Sequence, residues 1–249
     1  MKRGFTLVEL SIVLVIIGLL IGGILVAQSM ISTARIQSQV RQLEQYNAAT
    51  SNFKSRYNQI PGDCNLCNHT NDPSWKGNND GKFIDVNGVV PPVDMWIEPV
   101  YFFADLYQMG HLTTKYQMIG SEYDFGENKE FPIAAIRTGG LVVTSNNFGA
   151  FYYTFIYRGT TIDERQYFKL MDKGIFSPAE ALALDSKLDD GNPVKGDIQA
   201  TSATSGAITD IIPFLPETDD AVHCVNGGQY NVKLAATDLC RPVIKASFH

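Results

Sequence analysis

Residues 5–27 contain a single ionisable side chain, Glu9, and the next charge in the chain is Arg35. As a helix rising 1.5 Å per residue, that run spans roughly 34 Å, enough to cross the hydrocarbon core of a bilayer. Lys2 and Arg3 precede it. Juxtamembrane cations stay on the cytoplasmic side, so the rest of the chain is expected on the far side of the membrane. That remainder has ordinary soluble composition. With 11% aromatic and 18% charged residues, the chain reads as folded rather than disordered. The net charge of −6 and the lack of any Lys/Arg-rich run argue against a nucleic-acid-binding surface.

An ordinary secretory signal has a shorter apolar core followed by small residues at a cleavage site. Here the run is long, and Gln28-Ser29-Met30 makes a poor site. A plain signal anchor explains the length but not Glu9. A carboxylate in an apolar membrane helix costs about 2.5–3.5 kcal/mol on insertion scales, and intramembrane charges usually have a partner and a function.

The combination of a short basic leader, Gly4-Phe5-Thr6-Leu7-Val8-Glu9 and a long aliphatic run resembles the prepilin signature of type IV pilins and type II secretion pseudopilins. The resemblance covers about the first 30 residues. It implies that a dedicated peptidase cuts after Gly4 and N-methylates the new first residue, Phe5. Cleavage would create an amine on Phe5, and Glu9 would pair with that amine in a neighbouring subunit or in its own chain. Breaking one side of a buried ion pair costs roughly 3–5 kcal/mol, so such a pair would help set axial register. The implied partners are other pilin or pseudopilin subunits, prepilin peptidase, an inner-membrane assembly platform and the lipid bilayer. The implied location is the inner membrane, single-pass with a periplasmic head, followed by the pilus or pseudopilus. A true pilus would place the head at the cell surface. The implied role is structural, not enzymatic. The rival reading is a membrane-anchored periplasmic binding or enzymatic domain that uses the signal only for insertion. Gly18-x-x-x-Gly22 has a spacing that lets helices approach closely. Many pilins carry a proline in mid-helix, and none stands here.

Beyond Ala27 the chain turns amphipathic. Ile36, Val40, Leu43, Tyr46, Thr50, Phe53 and Tyr57 recur every three or four residues, which predicts one core-facing helical stripe. Pro61-Gly62 should end the helix near Tyr57. The expected organisation is a leader (1–4), a transmembrane and assembly helix (5–27), its amphipathic continuation (28–57) and a globular head (58–249). Within the head, 61–88 reads as a polar loop, 94–110 and 162–173 as helices, and 131–137, 141–144 and 150–158 as antiparallel strands. Ser177-Pro178-Ala179-Glu180 is a helix start with an N-cap serine, an early proline and a glutamate three residues on. That helix should end near Asp189-Asp190-Gly191, and the tail after Gly196 reads as irregular or edge-strand structure. The fold class is therefore α+β: a long N-terminal helix packed on a head with an antiparallel sheet. The pilin resemblance implies the same.

Four cysteines on the exported side, Cys64, Cys67, Cys224 and Cys240, suit disulfides, and three pairings are possible. The resemblance implies Cys224–Cys240, like the disulfide-bounded C-terminal loop of many pilins, and leaves Cys64–Cys67 as a local pair. Zinc and redox chemistry are the rival readings of Cys64-x-x-Cys67. A zinc ribbon needs a second such pair, and a thioredoxin-like site needs a following helix.

Two acidic clusters stand out. Asn78, Asn79, Asp80 and Gly81 have Asp72 and Asp85 nearby, and Asp185, Asp189, Asp190 and Asp197 lie further on. Oxygen ligands around a glycine turn suit calcium, although the spacing is not that of an EF-hand. Several pseudopilins hold calcium in the head, so the resemblance implies the same possibility for Asn78, Asp80, Asp85, Asp189 and Asp190. The rival account is that Asn, Asp and Gly are turn formers. His69, His111, His223 and His249 are scattered, and Ser51-x-x-Lys54 lacks the companion motifs of serine acyl-enzymes. No catalytic constellation emerges.

Overall fold

A computed structural model describes residues 6–67, 77–83, 98–117, 125–129, 131–136, 139–145, 149–157, 174–202, 224–234 and 240–248. The chain opens with one continuous helix, α1 (Leu7–Tyr57), of 51 residues, about 75 Å long at 1.5 Å per residue. No proline interrupts it. It ends where Asn58 turns left-handed at φ 53° and its N–H donates to the Lys54 carbonyl at 2.8 Å. Pro61-Gly62 follows, so the stop read from the sequence is where the helix stops. Every described residue from Thr6 to Arg35 is exposed, and burial begins at Ile36.

The buried stripe runs through Ile36, Gln39, Val40, Leu43, Tyr46, Ala49, Thr50 and Phe53. Tyr57, expected in that stripe, is only half-buried. The stripe packs on a head that contains α2 (Glu98–Gln108), α3 (Pro178–Leu188) and a four-stranded antiparallel sheet. The strands are β1 (Gly139–Ser145), β2 (Phe151–Tyr157), β3 (Ile198–Ser202) and β6 (Cys240–Lys245), in spatial order β1-β2-β6-β3. A two-stranded hairpin, β4 (Val225–Asn226) with β5 (Gln229–Tyr230), lies apart from it. The fold is α+β, with the helical spine against the antiparallel sheet.

The core is aromatic. Tyr46 meets Phe103 edge-on at 5.0 Å, Phe102 meets Phe103 at 5.0 Å, Phe83 meets Phe151 at 4.7 Å and Phe155 meets Phe176 at 4.8 Å. Such pairs contribute about 0.5–1.5 kcal/mol beyond the area they bury. Nearly all of β1 is buried, both faces included. Gly-Gly-Leu-Val-Val therefore reads as a near-continuous apolar run rather than an alternating one.

Three expectations need correction. The segment 131–137 is not a strand. Among its described residues there are only single bridges, Phe125 to Phe131 and Ile133 to Gly140. Pro132 removes a donor in the middle of the run, which breaks a ladder. The tail after Gly196 supplies an edge strand, β3, as expected, but its described residues also include β6, an inner strand between β2 and β3. Pro242 stands within this inner strand, where a proline ordinarily removes a ladder bond. Donors alternate along β6: Ala246 to Phe151 on one side, Lys245 to Asp197 on the other, and Cys240 to Phe176 on the first side again. By that alternation, the N–H that Pro242 lacks would face the β2 side. There the β2 ladder has already ended at Thr154–Val243, so no hydrogen bond is lost. Third, the start of the 61–88 loop is not surface structure, since Pro61, Gly62, Asp63 and Cys64 are buried. The described part of the 94–110 helix is Glu98–Gln108, and it is buried on all sides from Pro99 to Leu106. The expected helix at 162–173 lies outside the described residues. The helix begun at Ser177 has the expected capping box with Glu180 and ends at Leu188, as read.

Phe53 is fully buried and touches both Tyr57 and His111. Replacing it with alanine is expected to destabilise the head by about 3–5 kcal/mol, measured by urea unfolding of the full chain in detergent.

Candidate functional site

The lipid-facing half of α1 begins with a closed cap. The Thr6 hydroxyl accepts from the Glu9 N–H at 3.3 Å, and Glu9 Oε2 accepts from the Thr6 N–H and the Thr6 hydroxyl, each at 2.8 Å. This capping box satisfies donors that the first turn of a helix leaves without partners, a need that is acute in hydrocarbon. Thr6 was part of the signature, but its role as cap was not read from the sequence. A threonine three residues before a glutamate at the head of an apolar run would have revealed it. Gly4 and Phe5 lie outside the described residues. From Leu7 to Ile31 the apolar side chains stand away from the head, with Leu7 88% exposed and Leu19 73% exposed. The helix is long and apolar enough to cross a membrane.

Residues 1–25 match the family model of the prokaryotic N-terminal methylation motif. The chain carries a prepilin-type signal. No curated protein and no solved structure matches the chain. The signal supports a pilin- or pseudopilin-like precursor that is anchored in the membrane, processed by a peptidase and assembled with similar subunits.

The signal would be uncoupled from the head if the second half of α1 met the head only through apolar contacts, which slide easily. It does not. Gln39 is fully buried and accepts from the Ile136 N–H at 3.3 Å. Gln42 donates to the Ile133 carbonyl at 2.8 Å and accepts from the Ala135 N–H at 3.1 Å. The two glutamines thus serve the backbone of the 131–136 segment where a strand neighbour would. Asn47 donates to the Ser247 hydroxyl at 3.0 Å and accepts from the Tyr153 hydroxyl at 3.1 Å. The Tyr46 and Tyr116 hydroxyls lie 3.3 Å apart, and burial pushes both phenols up from their ordinary range. Buried polar groups of this kind fix the rotation and axial position of a helix because only one register satisfies them.

Cys64 is bonded to Cys67, and Cys224 to Cys240. Both pairs are buried. The Cys224–Cys240 bond ties the β4–β5 hairpin to the inner strand β6. Cys64–Cys67 closes the turn after α1, and Asn65 inside it is held by Gln59 at 2.7 and 3.1 Å.

Of the residues expected to hold calcium, Asn78 and Asp80 come together, and two carboxylates unnoticed in the sequence join them. Asp63 is buried and accepts from the Asn79 and Gly81 N–H groups at 2.5 and 2.7 Å. Glu98, at the start of α2, accepts from the Asn78 N–H at 3.4 Å. Asn78 and Asp80 are linked to each other by two further bonds. The packing here demands glycine twice. A Cβ on Gly62, at φ 88°, would lie 2.3 Å from the Glu98 carbonyl oxygen, and one on Gly77 would lie 2.2 Å from the Asp63 backbone. Burial, with the Asp63 and then the Asp80 charge beside it, pushes the Glu98 carboxyl up to about 8. Burial also raises Asp63, against the two N–H groups that hold its charge. These oxygens are the hard donors that calcium takes. Asp85 and Asp72 lie outside the described residues. The signal for Asp63 was its place directly after Pro61-Gly62. Glu98 had none, because its partners are 20 and 35 residues away in sequence.

In the second cluster, ligand oxygens of Asp185, Asp189 and Asp190 lie within 4.8 Å of one another. They serve the turn after α3. Asp185 accepts from the Gly191 N–H at 3.0 Å and the Tyr230 hydroxyl at 2.7 Å. Asp189 accepts from the Asp197 and Ile198 N–H groups at 2.5 and 3.1 Å, and Asp190 from the Asn192 N–H at 2.8 Å. Burial raises the Asp185 carboxyl, opposed first by the Tyr230 hydroxyl.

Between the ordinary glutamate range and about pH 8, folded Glu98 keeps a proton that the unfolded chain has released. Stability therefore falls as pH rises through that window. In chelator, thermal melts of the wild type should lose stability from about pH 5 to about pH 8, and Glu98→Gln should flatten that part of the slope.

Proposed function

We propose that this protein is a structural subunit, a pilin, minor pilin or pseudopilin, of a type IV pilus or a type II secretion pseudopilus. The observation that carries the reading is the membrane half of α1. It is apolar on all sides, detached from its own head, and begins with one carboxylate already ordered by Thr6. Such a helix needs lipid first and other helices afterwards. The capped Glu9 supplies a directed charge for a neighbour's amine at Phe5 after cleavage behind Gly4. Partners in this reading are prepilin peptidase, the inner-membrane assembly platform and subunits of the same kind. The head lies in the periplasm before assembly and on the filament afterwards. Its role in the filament is structural rather than enzymatic.

Calcium belongs to the same proposal. Asp63, Asp80, Asn78 and Glu98 would hold it, and its charge would offset the crowding that drives Glu98 toward neutrality. Both clusters have backbone donors for their carboxylates, and the first is the preferred location because a cation there would also relieve the charge crowding at Glu98.

Glu9→Ala tests the filament reading. Sheared filament fractions should lose the protein, while its membrane level and both disulfides stay at wild-type values. Absence of the wild type from sheared filaments would favour a signal used only for insertion, and unchanged assembly of Glu9→Ala would remove Glu9 from the assembly contact. For calcium, saturation at about 100 times Kd should add about 2.7 kcal/mol to stability. That gain, read as a rise in melting temperature, should vanish in Asp63→Asn with Glu98→Gln.

A further inference from the structure

The chain is electrically divided along its length. Residues 28–57 carry four bases, Arg35, Arg41, Lys54 and Arg56, against one acid, Glu44, for a net +3. Residues 58–249 hold 14 bases and 24 acids, a net −10.

Arg35, Arg41 and Arg56 are exposed, and among the described residues no carboxylate forms an ion pair with Arg35 or Arg41. Arg56 rests over the ring of its neighbour Tyr57 at 5.4 Å. Arg41 and Arg56 are 15 residues apart, a little over four helical turns and about 22 Å, so they project within about 60° of each other around α1. The arc between them also shows Ser38, Gln45 and Asn52 to solvent and flanks the buried stripe of Leu43, Tyr46 and Phe53.

Identical heads at −10 repel one another when packed closely, and at physiological salt the repulsion acts over about 8 Å. A basic helix side held between acidic surfaces offsets that repulsion and sets which surfaces meet. We infer that the exposed Arg41–Arg56 side of α1 docks against the acidic head of a second copy of this chain. This rests on the filament reading above and adds a polar, salt-sensitive contact to the apolar packing of the membrane halves.

The test compares Arg41→Glu with Arg56→Glu against Arg41→Lys with Arg56→Lys in the full chain, expressed in a host that assembles it, with sheared filaments recovered in chelator. Arg35 is left intact because it stands next to the lipid half. The glutamate pair should lose at least about ten-fold in filament yield, since like charges facing each other cost several kcal/mol. The lysine pair should assemble near the wild-type level. Wild-type filaments should disperse as salt rises from about 50 to about 500 mM. When differently tagged wild-type and glutamate-pair copies are co-expressed, the glutamate-pair copy should be excluded from filaments pulled down through the wild-type tag. Wild-type yield from the glutamate pair, equal failure of the lysine pair, or free entry of the reversed copy into wild-type filaments would each overturn the docking. The wild-type arm separates the two claims: if the wild type itself is absent from sheared filaments, the filament reading fails instead.

Discussion

One helix has to satisfy two solvents, and the rest of the structure follows from how α1 does so. Up to Ile31 it offers apolar side chains in every direction, which only lipid or other helices can cover. From Ile36 onward it buries one stripe and leaves the opposite side polar. The backbone does not mark the transition, since no proline or break separates the halves. The head is therefore mounted on a rod whose other end sits in a different medium. An isolated helix of ordinary propensity is marginal in water, and tertiary packing of one face stabilises the second half.

Mounting a head on a rod requires that the rod not rotate or slide in its seat. Apolar side chains alone tolerate small shifts with little loss. Gln39, Gln42 and Asn47 do not, because each serves specific backbone or side-chain partners in the head. The far end of the rod is anchored in the same way. Asp63, just past the helix stop, gathers the 77–83 loop through two backbone donors, and Phe83 of that loop enters the aromatic core between Phe102 and Phe151. The energetic drawback of this anchor is the carboxylate crowding with Glu98, and that crowding gives the head its expected response to pH and to divalent cations.

What the sequence showed and what it hid divide along physical lines. The α1 stripe, the stop before Pro61 and the Ser177 capping box depend on neighbours within a turn or two, and all three were legible. The effect of a proline in a strand depends on where its missing donor points. Pro132 breaks a strand, as its missing donor demands, yet Pro242 sits in an inner strand because its missing donor falls in a gap between two partners. The register of neighbouring strands decides that gap. The acidic site was half legible: Asn78 and Asp80 lie in one short turn, whereas Asp63 and Glu98 reach it from elements the tertiary fold brings together. Glu9 was conspicuous as a charge in an apolar run, while its capping partner Thr6 is marked in the sequence only by the Thr-x-x-Glu spacing.

The account turns on Glu9 being prepared for an amine that exists only after processing. The most direct measurement is the mass of the N-terminal peptide of the protein recovered from the cells that make it. The account predicts a chain that begins at Phe5 with an N-methylated amine and keeps Thr6 and Glu9 unmodified. A chain that still begins at Met1, or one cut beyond Ala27, would contradict it.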